Sequence, residues 1–179
     1  MSAAAAFAAW LGAALIVLSE GRRGLALGMA LVAVGFAVLA QAGDGALAAS
    51  AFLVGGGIAA GRRFRSGPDV WGVMPPGSTA RLVLSVAVGL LALWISTSLM
   101  TGPGAPLRFA ALSVLGLMAA RVLTPSEPQA VLTALAALVL AVALAAGVAD
   151  TSPGPALYVL AAIVAGGISL VRVGEVNGA

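Results

Sequence analysis

Seven apolar stretches, separated by short polar breaks, most strongly constrain how this chain can fold. A helix needs roughly 20 apolar residues to cross the hydrocarbon core of a bilayer. The stretches, 15 to 21 residues long, are 3–19, 25–42, 46–60, 82–100, 106–123, 129–149 and 155–172. The breaks EGRRG, GDG, TGPGAP, TPSEP and DTSPGP are rich in residues that end helices and form tight turns. The pattern predicts an all-α integral membrane protein, a single domain over residues 1–179 in which short loops join antiparallel helices.

The composition supports a membrane protein. Hydrophobic residues make up 61% of the 179 residues and charged residues 8%, whereas about 25% of the residues of a soluble domain are charged. The mean hydropathy is +1.13. Because such a chain cannot cover itself with polar surface, the lipid bilayer is its first predicted partner.

The count of seven helices depends on the third stretch. Residues 46–60 would form only about 23 Å of helix at 1.5 Å per residue. This helix would have to extend into its flanks, tilt little or be re-entrant, and a bundle of six helices is the alternative. With seven, eight of the nine basic residues fall on one side, and Arg108 alone falls on the other. The positive-inside rule then predicts an amino terminus outside and a carboxyl terminus in the cytoplasm. The eight residues on the inner side are Arg22, Arg23, Arg62, Arg63, Arg65, Arg81, Arg121 and Arg172.

The first stretch resembles a secretory signal only in its hydrophobicity. A signal carries its positive charge before the apolar run, but Arg22 and Arg23 follow it, so we interpret it as a retained helix. The alanine-rich composition, with arginine but no lysine, is typical of GC-rich bacterial genomes. We therefore expect a multi-pass protein of the bacterial cytoplasmic membrane.

Several chemistries require residue types that this sequence lacks or places elsewhere. It contains no cysteine and no histidine, so disulfides, the usual zinc and haem ligands and a histidine-based triad are excluded for this chain alone. No acid or arginine lies in the middle of an apolar stretch, which argues against a proton pump or an ion-coupled antiporter. The arginines form no stripe or basic domain that could follow a nucleic-acid backbone. We predict no cofactor, no metal and no nucleic-acid partner.

The segment GRRFRSGPDVWGVMPPGSTAR, residues 61–81, is predicted to be a cytoplasmic or interfacial loop. It is longer than the other breaks and has an apolar centre, so it is the one cytoplasmic loop long enough to hold a partner. Its basic residues would also attract anionic lipid. The candidate contacts to a partner or to lipid are Arg62, Arg63, Arg65, Trp71, Met74 and Arg81.

A second candidate site comprises polar residues in the outer parts of four helices. If they converge, they would form a vestibule for a small ligand or a lipid headgroup. The alternative, which we favour, is that the hydroxyl groups bond to backbone carbonyls of their own helices. The candidate residues are Gln41, Ser50, Ser96, Thr97, Ser98 and Tyr158.

The fifth stretch has an arginine near each end. Arg108 and Arg121 lie about 20 Å apart along a helix axis, and we expect them to snorkel to the two headgroup layers. Arg121 could instead pair with Glu127 across the TPSEP turn.

Small residues recur at the spacing that lets transmembrane helices approach closely. Examples are Gly24-x-x-x-Gly28, Gly57-x-x-x-Gly61 and Gly116-x-x-x-Ala120. Such residues serve either docking of partner helices or packing within the bundle, and the second is the commoner use.

We weighed three functions. The first is a non-catalytic subunit that packs against and positions partner subunits in a larger membrane complex, such as an energy-transducing or transport assembly. The alternative is a small solute carrier, or a substrate-binding transporter component, with an outward-facing polar site. An intramembrane enzyme ranks last, because only hydroxyl groups are available at membrane depth.

Overall fold

The computed structural model describes residues 1–66, 79–98, 104–124, 127–149 and 154–171. These residues form helices and no β-strand, which confirms the predicted helical class. Five of the helices, α2 to α6, are long and apolar enough to cross a membrane, whereas α1 and α7 are shorter apolar helices. The seven helices are α1 (Ser2–Leu18), α2 (Arg22–Gly43), α3 (Gly45–Arg65), α4 (Thr79–Ser98), α5 (Ala105–Leu123), α6 (Pro128–Ala149) and α7 (Pro155–Leu170).

The third helix is longer than its apolar stretch. The stretch 46–60 is the shortest in the sequence, yet α3 spans 21 residues, Gly45–Arg65, because arginine continues a helix readily. The predicted loop 61–81 is correspondingly shorter: residues 61–65 belong to α3 and residues 79–81 belong to α4. Its centre, with Trp71 and Met74, lies outside the described residues.

Helices α2 and α3 meet at a very tight corner. α2 ends at Gly43 and α3 begins at Gly45, so Asp44 alone connects them. Gly45 has a φ angle of 85°, a left-handed conformation that glycine adopts without steric cost. This geometry makes the two helices antiparallel neighbours, as the GDG break predicts.

Six of the helices form a closed ring of neighbours, and α4 lies outside it. Going around the bundle, the neighbours in contact are α1, α2, α3, α7, α6 and α5, and α5 returns to α1. α6 also touches α1, α2 and α3. α4 packs only on α1 and α5, and just 22% of its residues 79–96 are buried.

Two pairs of close contacts show how the bundle is assembled. Gly12 of α1 lies opposite Gly28 of α2, and Gly35 of α2 lies against Ala5 and Ala9 of α1. As the α1 number falls, the α2 number rises, so the two helices are antiparallel. Small residues at these positions bring the backbones together and multiply their dispersion contacts.

Candidate functional site

The alternating helix directions give the bundle two chemically different ends. We call the end at which α1, α3, α5 and α7 finish the basic end. Arg108, in the first turn of α5, lies at the opposite end and folds back over Gly104. The described arginines at the basic end are Arg22, Arg23, Arg62, Arg63, Arg65, Arg81 and Arg121.

Arg121 points into the bundle rather than toward a headgroup layer. Its side chain is 2% exposed, and its Nη2 donates a hydrogen bond to the backbone carbonyl of Ser19 at 3.3 Å. Ser19 directly follows α1, so Arg121 places its positive charge at the negative end of that helix. The predicted snorkelling of Arg121 is therefore wrong, and its predicted alternative, a pair with Glu127, does not occur among the described contacts.

A salt bridge lies beside this contact. Nη1 of Arg81, in the first turn of α4, binds Oε1 of Glu20 at 2.8 Å. The side chains of Arg81 and Glu20 are 24% and 37% exposed. Both groups act electrostatically on Arg121. We call these four residues, Ser19, Glu20, Arg81 and Arg121, the basic corner.

The predicted contacts in residues 61–81 divide between the inside and the outside of the bundle. Arg65 is exposed, Arg62 is half-buried, and Arg81 is engaged by Glu20. Arg63, a candidate contact to lipid or a partner, is only 3% exposed and lies inside the bundle. It occupies the buried face of α3, two turns beyond Gly56, which packs against Ala33 of α2.

Tyr158, from the predicted polar cluster, is held in an aromatic row at the opposite end. Its ring contacts Phe52 of α3 edge-on at a centroid distance of 5.6 Å, and Phe52 contacts Phe36 of α2 in the same manner at 5.6 Å. The Tyr158 hydroxyl is enclosed against Gly147 of α6, with the Asp44 carboxylate beside it. The row joins α2, α3 and α7.

The other residues of the predicted polar cluster do not join Tyr158. Gln41 and Ser50 are exposed, and the Ser50 hydroxyl donates to its own helix at Leu47 O. Ser96 donates to Leu93 O and lies on α4, which does not touch α2, α3 or α7. These bonds are the predicted local alternative to a vestibule. The side chains of Thr97 and Ser98 lie outside the described residues.

Two openings lie between helices of the bundle. A cavity of about 430 Å³ lies between α1, α4 and α5, where the Trp10 indole donates to Ser85 O at 3.3 Å. Apart from Trp10 and Ser96, its lining residues are apolar. A groove of about 380 Å³ runs between α2 and α3 toward the basic end; it is lined by Arg23, Ala26, Leu27, Ala30, Ala60, Gly61 and Phe64.

Neither opening offers a set of metal ligands. Within the described ranges, no three acidic, cysteine or histidine residues come together in a way that could hold a metal ion. The two openings offer mainly apolar packing, with Arg23 as the one charged residue among the residues that line them. The salt bridge between Glu20 and Arg81 and the buried Arg121 lie in the basic corner.

Comparison with known proteins gives no relative from which a role could be transferred. The chain matches no protein-family model, no curated protein and no solved structure.

Proposed function

We propose that this chain is a non-catalytic subunit of a larger membrane complex and that a partner helix docks on the outer face of α2 and α3. The observation that carries the proposal is the orientation of Gly57 and Gly61. Both lie on the exposed side of α3, and a Cβ at either position would meet no atom within 4 Å.

Other glycines of the described helices pack inside the bundle, although Gly167 of α7 also has open space around it. A Cβ on Gly12 would lie 2.5 Å from the carbonyl oxygen of Gly28, and a Cβ on Gly55 would lie 2.6 Å from the Cα of Ala162. Glycine inside a helix costs roughly 0.5–1 kcal/mol relative to alanine. Close packing offsets this cost at Gly12 and Gly55, but nothing within the described chain offsets it at Gly57 and Gly61.

The groove beside Gly61 fits a helix backbone. Ala26, Ala30, Ala60 and Gly61 keep its floor low, and Phe64, which is exposed, forms one wall. Small residues let a second transmembrane helix approach until backbone atoms touch, and in lipid such packing replaces the hydrophobic effect as the force that holds helices together. Packing of a partner helix in this groove would offset the stability that the chain loses by having glycine at positions 57 and 61.

The proposal includes the arrangement in the membrane. We infer that all seven helices span the bilayer, with the basic end in the cytoplasm and the amino terminus outside, and that the membrane is the bacterial cytoplasmic membrane. Seven described arginines at one end and Arg108 at the other support the orientation. The short helices α1 and α7 are compatible with crossing if the bilayer thins locally around them.

The solute-carrier alternative has less support. A carrier needs polar groups that converge on one site, whereas the described outer hydroxyls lie on separate helices and bond to their own backbones. Tyr158 and Asp44 are adjacent, but the aromatic row and Gly147 enclose the tyrosine rather than open it to solvent. We therefore argue the subunit function alone.

The experiment is a stoichiometric pull-down of the full chain from its native membrane in a mild detergent. The double substitution Gly57→Leu with Gly61→Leu should release the partner, because two isobutyl groups would fill the docking face. Ala87→Leu, on the exposed face of α4, is the matched control and should retain it.

Thermal unfolding must show that both variants fold like the wild type, so that a lost partner reports the docking face alone. Retention of the same partner by the double variant would refute this docking face. Purification of the wild-type chain alone, with transport activity in reconstituted vesicles, would refute the subunit function itself.

A further inference from the structure

The basic corner contains polar atoms whose hydrogen bonds the described chain does not complete. Arg121 is 2% exposed, and its Nε and Nη1 have no acceptor among the described residues. Ser19 is fully buried, and its Oγ is likewise unsatisfied there. A buried donor without an acceptor costs roughly 1–3 kcal/mol, and more when it is charged, so these atoms indicate an acceptor that is not part of the described chain.

The charges of the corner are also unequal. Arg81 and Arg121 bring two guanidinium groups, but Glu20 is the one carboxylate that acts on them among the described residues. The carboxyl end of α1 offsets only part of the excess, since a helix end carries roughly half a charge. Burying a positive charge without a partner costs free energy, and a bound anion lowers that cost.

The start of α2 adds donors of the same kind. α2 begins at Arg22, two residues after Glu20, and its N-cap residue Gly21 provides no side-chain hydrogen bond to the first turn. The first N–H groups of a helix have no partners within it and lie at its positive end, an arrangement that binds phosphate in many proteins. Ser19, whose carbonyl binds the Arg121 guanidinium, precedes this helix start by three residues, so the serine, the guanidinium and the helix start belong to the same corner of the bundle.

We propose that the basic corner binds a phosphate group, carried either by an anionic phospholipid headgroup or by a free phosphate ion. A tetrahedral phosphate has acceptor oxygens on several sides, which suits donors contributed by α5, by the end of α1 and by the start of α2. A carboxylate is planar and reaches fewer of them. The corner is at an end of the bundle, so both the headgroup layer and the aqueous phase are within reach.

Glu20 is the carboxylate that a phosphate would have to displace from Arg81. Glu20 and Arg81 are the half-buried members of the corner, whereas Arg121 and Ser19 are buried, and both of their charges act on the Arg121 guanidinium. A phosphate that bridges Arg81 and Arg121 takes the place of the Glu20 carboxylate, which turns outward. Glu20 is therefore a competitor of the ligand, and its removal should strengthen binding.

Two ligand series with the purified full chain test the proposal and identify the source of the phosphate. Delipidated protein in a neutral detergent is titrated with inorganic phosphate, or with phosphatidylglycerol in mixed micelles, at constant ionic strength. Calorimetry or the shift of the thermal midpoint gives the Kd. Saturable binding of phosphate alone assigns the site to the free ion, of phosphatidylglycerol alone to the headgroup, and of both to either source; each of these results supports the proposal.

Three variants and one control identify the site. Arg121→Gln should weaken binding by at least about tenfold, because a charge-assisted bond is lost. Ser19→Ala should weaken it by a few fold, and Glu20→Gln should strengthen it. Arg65→Gln, which removes an exposed charge at the same end, should leave Kd unchanged.

The site is refuted if neither ligand binds saturably, or if Arg65→Gln weakens binding as much as Arg121→Gln. If Arg121→Gln does not fold, Glu20→Gln decides, since it retains every proposed donor. Weaker or unchanged binding by Glu20→Gln would overturn the proposal.

Discussion

Gly12 and Gly28 face each other across α1 and α2 so closely that neither position has room for a methyl group. A Cβ on Gly12 would lie 2.5 Å from the Gly28 carbonyl oxygen, and a Cβ on Gly28 would lie 2.7 Å from the Gly12 carbonyl oxygen. The atoms in the way are backbone atoms, which cannot rotate aside. The two glycines therefore set the distance between the first two helices.

Gly12→Ala should destabilise the folded bundle by about 1–3 kcal/mol, the usual cost of forcing an extra methyl group into a packed site. Gly57→Ala is the control, since a methyl group there meets nothing within 4 Å. It should leave stability unchanged or raise it by up to about 1 kcal/mol through helix propensity. Unfolding of both variants in the same detergent measures the difference, and equal losses would contradict this account.

The aromatic row should depend most on its middle member. Phe52 makes two edge-on contacts, to Phe36 and to Tyr158, and each such pair is worth about 0.5–1.5 kcal/mol. Phe52→Leu should therefore lower the unfolding free energy by about 1–3 kcal/mol. Phe7→Leu offers a matched comparison, because Phe7 has one ring contact, to Trp10, and is 55% exposed.

Phe7→Leu should change stability by less than half as much as Phe52→Leu. The measurement is thermal unfolding, monitored by circular dichroism. An equal effect of the two substitutions would mean that the row adds nothing beyond ordinary burial.

The helices themselves could be predicted because apolar runs and glycine-proline breaks act locally. Hydropathy marked only part of α3, because it ends at the arginines whereas helical hydrogen bonding continues through them to Arg65, as expected if the helix extends into its flanks. The wide use of alanine conceals which face of each helix is buried: Gly57 and Gly28 sit in similar motifs, yet one faces outward and the other packs against α1.

The basic corner could not be predicted, because it depends on which helices are neighbours. Arg121 and Ser19 are separated by 102 positions in the sequence, and the alternation of helices shows only that both lie at the same end. Snorkelling is the default for an arginine at a helix end. The packing of α5 against α1 turned Arg121 inward instead. An acid at the same end was the available signal, but it did not single out Glu20, because Glu127 lies at that end as well.

The charges of the corner predict whether Arg81→Gln lowers or raises stability, and a double-mutant cycle with Glu20→Gln can measure this. In the wild type, Arg81→Gln should lower stability by about 0.2–1 kcal/mol, the range for a partly exposed ion pair. In a Glu20→Gln background the same substitution should raise it, because only the repulsion between Arg81 and Arg121 remains. Unfolding of the wild type, the two single variants and the double variant at low and high salt gives the coupling energy between Glu20 and Arg81.

High salt should reduce the coupling between Glu20 and Arg81, since ions screen exposed charges. Arg65→Gln replaces Arg81→Gln in a parallel cycle, because it removes an exposed arginine at the same end. A coupling of the same size in that cycle would show that general charge at the basic end, rather than the contact at 2.8 Å, is responsible.

The proposed topology places Ser66 and Gly154 on opposite sides of the membrane. Ser66 follows α3 at the basic end, and Gly154 precedes α7 at the other. Because the chain has no cysteine, Ser66→Cys and Gly154→Cys each introduce a single thiol. In intact cells a membrane-impermeant maleimide should label the cysteine at position 154, whereas labelling at position 66 should require permeabilised cells. Three helices, α4, α5 and α6, separate the two positions, and an odd number of crossings puts them on opposite sides. Labelling of both in intact cells would therefore contradict the count of seven spans, because one of these three helices would then fail to cross. The reverse pattern, with position 66 alone labelled, would instead invert the orientation.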